Sequence, residues 1–125
     1  MPIFSKDLSM NLEVRARLIA KGNDSPLCGD EYSVKLFDKD FFDDDFLGES
    51  KIDNDGFAKI IFNPTDVYRK EPLVDKALDF YFLVYKDGKE IFRSQVMKDT
   101  DLRYFEALKM GEGEVIDLGT FLVSE

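Results

Sequence analysis

The chain's most apolar run is Leu78-Asp-Phe-Tyr-Phe-Leu-Val-Tyr85, and Lys86-Asp-Gly-Lys89 follows it directly. Apolar side chains occupy both alternating sides of this run, which is typical of a central strand that is covered on both faces. An Asp-Gly pair between two strand-like segments indicates a tight hairpin, so we predict that the chain returns as a strand over Glu90 to Met97. An antiparallel hairpin is therefore expected at the centre of an all-β fold.

Outside this hairpin, apolar and polar side chains alternate with a period of two, the pattern of strands with one buried and one solvated face. The third and fourth strands are joined by Asp53-Asn-Asp-Gly56, whose residue types suit a turn with a positive backbone angle. In the last strand, Asp117 and Thr120 depart from perfect alternation. About seven strands in all predict an antiparallel two-sheet sandwich. The five strands that the alternation adds to the hairpin are residues 11–18, 32–37, 47–52, 57–62 and 114–123.

One segment has a different period. Leu102, Phe105 and Leu108 recur every three residues, behind a helix cap at Asp99 or Thr100 and before a stop at Gly111. This spacing, with those end signals, predicts one short helix before the last strand.

Length and composition indicate one domain, residues 1–125, with its core at about residues 11–123. The chain has 125 residues, of which 44% are hydrophobic and 14% aromatic, and this is enough for a substantial core. The formal charge of -9 disfavours nucleic acid and anionic lipid as partners, because both attract lysine and arginine clusters. No apolar run is long enough for a transmembrane segment. We expect a soluble chain without a signal peptide, cytoplasmic as written or secreted if it is a mature fragment.

The counts of histidine and cysteine exclude several kinds of catalytic and metal site. With no histidine, the chain lacks the commonest general base near neutral pH and the commonest ligand of zinc and iron. Cys28 is the only cysteine, so neither an internal disulfide nor a zinc cluster of cysteines can form. Its sequence neighbours supply no base or cation to activate the thiol. We therefore expect no enzymatic activity and no catalytic residues.

Six short motifs are spread over most of residues 12 to 123: Leu27-Cys-Gly-Asp30, Val34-Lys-Leu36, Asp43-Asp-Asp-Phe-Leu-Gly-Glu49, Asp53-Asn-Asp-Gly-Phe57, Asp79 to Tyr85 and Asp117-Leu-Gly-Thr-Phe121. In this order they resemble transthyretin-like domains, particularly those of the nematode transthyretin-like type. The resemblance implies a prealbumin-like sandwich that serves as a binding or interaction module and is often secreted. Members of the nematode group usually carry paired cysteines and an export signal, and this sequence has neither. The enzymatic branch, hydroxyisourate hydrolase, uses histidines, so the resemblance does not imply hydrolysis here.

The loop after the second strand is strongly acidic, with five aspartates in eight residues. Charge runs usually mark solvated surface, and this is the interpretation we favour. The loop also resembles, more weakly, a calcium loop of C2 domains, and carboxylate oxygens are ligands that calcium prefers. Calcium-dependent docking, as in C2 modules, is therefore the alternative function. Its candidate ligands are Asp38, Asp40, Asp43, Asp44 and Asp45.

Aromatic side chains near this loop and on the central strand are the candidate contact surface, since interfaces favour aromatic residues at their centres. The candidates are Phe41, Phe42, Tyr81 and Tyr85. We expect most of them to be buried in the sandwich, because large aromatic side chains usually lie in cores, and the exposed remainder to define the partner site. The expected function is recognition of another protein or of a small apolar ligand through the acidic loop and a sheet face. Exposed sheet edges would also allow homo-oligomers.

Overall fold

In the part of the chain that the structure describes, all regular secondary structure is β-strand, joined by turns and loops. The computed structural model describes residues 11–39, 43–63, 77–101, 109–110 and 113–124. No helix occurs in these ranges, and hence none that could cross a membrane. The strands, in chain order, are β1 (Asn11–Ala20), β2 (Tyr32–Asp38), β3 (Asp45–Ser50), β4 (Phe57–Phe62), β5 (Ala77–Lys86), β6 (Lys89–Arg93), β7 (Met97–Asp101), β8 (Lys109–Met110) and β9 (Gly113–Val123).

The strands form two sheets that share one core, as expected for a β-sandwich. The four-stranded sheet has the order β4-β1-β9-β8, and the five-stranded sheet has the order β3-β2-β5-β6, with β7 pairing with β5 as well. Alternate side chains of both sheets point into the common core. The largest fully buried residues are Phe80, Phe82, Leu12, Leu18, Leu36, Ile116, Val14, Val34 and Val84.

The central position predicted for the strand at residues 78–85 is confirmed. It lies in β5, which pairs with β2, β6 and β7. Side chains on both of its faces are buried, with Phe80 and Phe82 in the core and Tyr81 and Leu83 on the opposite face. Burying a large apolar side chain stabilises a protein by about 1.5–3 kcal/mol, so β5 is a major source of stability.

The seven predicted strands are all present, as β1 to β6 and β9. The prediction of a purely antiparallel arrangement is wrong at one place, because β1 and β9 are parallel. A parallel pair needs a long connection between its strands, and here most of the chain separates the two. A register shift between Arg15 and Arg17 opposite β9 explains why Asp117 and Thr120 break the alternation.

Strands β7 and β8 were not predicted. Ser94, which follows β6, stays bonded to β5: its backbone amide donates to the carbonyl of Phe82, and its Oγ accepts from the amide of Phe82. The chain then continues along the same side of β5 as β7. The predicted helix is wrong at both ends, since Thr100 lies in β7 and Lys109 in β8. Its middle, residues 102–108, and Gly111 lie outside the described residues.

Both turns predicted from Asp-Gly pairs are confirmed. Asp87 and Gly88 have φ of 52° and 80°, as a two-residue hairpin with positive angles requires. In the other turn Gly56 has φ of 88°, and its amide donates to the carbonyl of Asp53 at 3.0 Å. The Asp53 carboxylate accepts hydrogen bonds from the amides of Phe57 and Asp55, and these bonds hold its pKa below the usual value.

Gly56 should be far less tolerant of a side chain than Gly88. A Cβ at Gly56 would lie 2.7 Å from the backbone oxygen of Leu18, whereas a Cβ at Gly88 would meet no atom within 4 Å. Gly88→Ala should lower the free energy of unfolding by only about 1 kcal/mol, because alanine is less favourable than glycine at a positive φ. Gly56→Ala adds a clash with backbone, so we expect a loss of about 2–4 kcal/mol in the free energy of unfolding, measured by urea denaturation. Equal losses would contradict the close approach of this turn to β1.

Candidate binding surface

A row of aromatic side chains crosses the outer face of the five-stranded sheet. Phe37 on β2 lies opposite Phe46 on the edge strand β3 and opposite Tyr81 on β5. The ring of Phe37 stacks on that of Tyr81 at 5.3 Å and meets that of Phe46 at 5.6 Å between centroids. Phe46 is 52% exposed, whereas Tyr81 is 6% exposed. We call Phe46, Phe37 and Tyr81 the aromatic row.

A β-bulge places Phe46 on this outer face. Leu36 pairs with Gly48 while Phe37 pairs with Phe46, so Leu47 has no partner on β2. Leu47 is buried in the core, and Phe46, its sequence neighbour, is left outside. Without the bulge, Leu47 would lie opposite Phe37 on the outer face and Phe46 on the core side, so the bulge decides which of the two residues is exposed.

Charged side chains lie against the buried end of the aromatic row. The hydroxyl of Tyr81 donates to Asp44 Oδ2 at 2.5 Å, and Lys39 Nζ lies 3.6 Å from Asp44 Oδ1. The Arg93 guanidinium lies over the Tyr81 ring, 5.6 Å from its centroid. Burial, together with the hydrogen bond to Asp44 and the charge of that carboxylate, raises the pKa of Tyr81 to about 12, although Arg93 acts in the opposite direction. Asp44 therefore ties the connection between β2 and β3 to the central strand.

A small pocket of about 70 Å³ opens at this point. Sites that enclose a drug-sized ligand are several times larger, about 300–1,000 Å³. An apolar ligand of that size would have to lie across the sheet face and could not be enclosed here. The pocket is lined by Lys39, Asp44, Tyr81, Arg93, Ser94 and Val96.

The predicted calcium ligands are not equivalent in the structure. Asp38 is 1% exposed, and its Oδ1 accepts a hydrogen bond from the backbone amide of Asp79 at 2.9 Å. Asp43 is exposed, Asp44 contacts Tyr81, and Asp45 lies on β3 opposite Asp38. Asp40 lies outside the described residues. Within the described ranges, no three acidic or cysteine side chains converge as metal ligands, and the calcium site stays a prediction.

Of the four aromatic residues predicted to bind a partner, Phe41 and Phe42 lie outside the described residues. Tyr81 is buried within the aromatic row. Tyr85 is partly buried, and Lys35 Nζ lies 4.9 Å from the centroid of its ring. Sequence reasoning missed Phe46, the aromatic side chain that the structure exposes most beside the acidic connection. The one signal in the sequence for Phe46 is its position directly after the aspartate run.

No protein-family model matches this chain, and no curated protein matches it. Solved structures that share its fold include the following two. One is a 9R-lipoxygenase from Cyanothece PCC8801, with 17% identity and a TM-score of 0.57, over 95% of this chain and 17% of the lipoxygenase chain. The other is the dioxygenase domain of a dioxygenase carbohydrate-binding protein fusion from Streptomyces sp. SirexAA-E, with 14% identity and a TM-score of 0.50, over 95% of this chain and 84% of that domain. These similarities support the β-sandwich, and the transthyretin-like resemblance stays a prediction.

The buried carboxylate of Asp38 should contribute to stability without any metal. Asp38→Ala leaves the Asp79 amide without this acceptor, which should cost about 1–3 kcal/mol in the free energy of unfolding. Asp43→Ala, at an exposed position of the same connection, should change it by no more than about 0.5 kcal/mol. Urea denaturation in buffer with a calcium chelator measures both values. If Asp38 served only as a calcium ligand, the two variants would be equally stable under these conditions.

The raised pKa of Tyr81 predicts how stability changes at high pH. The unfolded chain has a tyrosine pKa near 10.0 and the folded protein a value of about 12, so folding holds this proton more tightly. The contribution is complete below the unfolded pKa and is lost as pH rises through the interval between the two values. The free energy of unfolding should therefore fall more steeply above about pH 10 for the wild type than for Tyr81→Phe. Identical slopes for the two proteins would contradict the burial and bonding of this hydroxyl.

Proposed function

We propose that this domain is a non-enzymatic binding module that recognises a protein or a small apolar ligand. Its binding surface combines the aromatic row with the acidic connection between β2 and β3. The observation that carries the proposal is the half-exposed ring of Phe46 at the end of a continuous row of rings in contact. Rings that already pack against one another and are supported by a buried strand lose little freedom on binding, which favours association.

Elsewhere in the described ranges, exposed apolar side chains do not form a comparable surface. Ile61 and Leu122, which are 61% and 55% exposed, lie on the four-stranded sheet. Their neighbours on β1 are Glu13 and Ile19, respectively. Positions 13 and 19 are six residues apart, or about 20 Å along a strand. The two side chains are therefore isolated from each other, as single exposed apolar residues commonly are.

The residue content supports binding over catalysis. The chain has no histidine, and its one cysteine is exposed. The polar side chains beside the aromatic row already bond to one another, as the contacts of Asp44 with Tyr81 and Lys39 show. They fix the shape of the surface and leave no described pairing of a nucleophile with a base.

Binding of the neutral dye Nile red tests this surface. The dye should gain fluorescence with the wild-type protein, and Phe46→Ser should remove most of the gain because it removes the exposed end of the aromatic row. Leu122→Ser is the matched control, since Leu122 has nearly the same exposure on the other sheet. It should keep the wild-type signal. Equal loss in the two variants, or none in either, would refute the proposed surface.

A calcium titration separates the alternative function from this one. The proposed surface predicts a dye signal that calcium does not change. A saturable change in amide chemical shifts that is localised to residues 38–45 would instead support calcium-dependent docking.

A further inference from the structure

The edge strand β3 has an open side next to Phe46. It is the terminal strand of its sheet and pairs only with β2 among the described strands. Strand β4 approaches it at one end, where the Ser50 hydroxyl accepts a hydrogen bond from the Lys59 amide and Ile52 bridges Ala58. No described strand pairs with the open side of residues 46–49. Backbone groups on such an edge are a template for another strand.

Side chains around this edge are apolar at one position and acidic on both sides of it. Phe46 is half exposed, and Asp43 and Glu49 are exposed before and after it. Glu49 pairs in register with Lys35, as Phe46 does with Phe37, so both lie on the outer face. We call Asp43, Phe46 and Glu49 the edge patch. Strand β3 contains neither lysine nor proline, the residues that often protect an edge from pairing.

The charges of the edge patch disfavour a second copy of this chain as the occupant. Two β3 strands paired antiparallel across a twofold axis at Phe46 would bring Asp43 of one copy close to Glu49 of the other. Like charges that face each other across a strand pair are destabilising. The formal charge of -9 on each copy adds to the repulsion. A partner with the opposite charge gains from the same acids.

We infer that the open edge of β3 binds an extended segment of a partner protein in which an apolar side chain is flanked by basic ones. This inference rests on the proposed function and names the partner that the surface fits. The segment adds a strand to β3, so its backbone pairs with the open edge. Its apolar side chain covers Phe46, and its lysines or arginines approach Asp43 and Glu49. The bulge puts Glu49 two register positions from Phe46, so a basic side chain two residues from the apolar one would meet Glu49. A second basic side chain on the other side would approach the exposed Asp43, which gives the pattern basic–x–apolar–x–basic.

The test uses a synthetic peptide, Thr-Lys-Thr-Leu-Thr-Lys-Thr with blocked ends, titrated into the 15N-labelled protein. Saturable shifts should concentrate in the amide signals of residues 45–49. Two altered peptides separate the contributions. Replacing both lysines by glutamate reverses the charge, and N-methylation of alternate peptide amides prevents strand pairing. Each should bind at least about tenfold more weakly, because each removes one of the two interactions on which recognition depends.

Protein variants locate the contact. Phe46→Ser should weaken binding of the lysine peptide roughly tenfold, through loss of apolar contact. The double variant Asp43→Asn, Glu49→Gln should weaken it by a few-fold at low salt, since charges at the rim of an interface contribute modestly. Glu90→Gln is the matched control for Glu49→Gln alone, because it removes the same single charge on β6, away from β3. It should leave binding unchanged.

Three outcomes would overturn the inference. Equal affinity for the lysine and glutamate peptides would show that charge does not determine binding. Chemical shift changes outside β3 would show that the peptide binds elsewhere. Self-association that depends on Phe46, seen by light scattering, would make a second copy the occupant. If Nile red binds through Phe46 while the lysine peptide does not bind, the proposed function stands and this inference fails. If neither binds, both fail.

Discussion

Burial of β5 on both faces is the constraint on which the rest of the molecule depends. Phe80, Phe82 and Val84 fill the core on one side, and Tyr81 and Leu83 are covered on the other. A strand in this position cannot shift register by one residue without exchanging its two faces. The position of Tyr81, and with it that of the aromatic row, is fixed by the same packing that stabilises the domain.

The acidic connection is tied to this strand at two points. Asp38 accepts a hydrogen bond from the Asp79 amide at one end of the connection, and Asp44 accepts one from the Tyr81 hydroxyl at the other. The stretch that reads in sequence as a simple solvated loop therefore has two of its carboxylates engaged with β5. Asp43, between them in the chain, is exposed. Residues of one type therefore differ in role, since two of them hold the connection in place and one stays in solvent.

Local signals in the sequence were sufficient for the strands and turns but not for their arrangement. Alternation predicted seven strands, and Asp-Gly pairs predicted both tight turns, because each depends on a few neighbouring residues. The parallel pairing of β1 with β9 and the attachment of β7 to β5 depend on contacts between distant segments. The exposed side of Phe46 depends on a bulge of one residue at Leu47, for which alternation gives no signal. The candidate surface could thus be placed near the acidic loop, while its central residue could not be identified.

The parallel pair has a consequence for the order in which the domain can assemble. Strand β1 lies between β4 and β9, and its register partners on β9 are about a hundred residues further along the chain. During synthesis, β1 is made first but keeps one side unpaired until β9 leaves the ribosome. The four-stranded sheet therefore closes only at the last step, and a nascent chain that lacks β9 would leave Leu12, Val14 and Leu18 incompletely covered. Contacts this distant in sequence also favour slow folding.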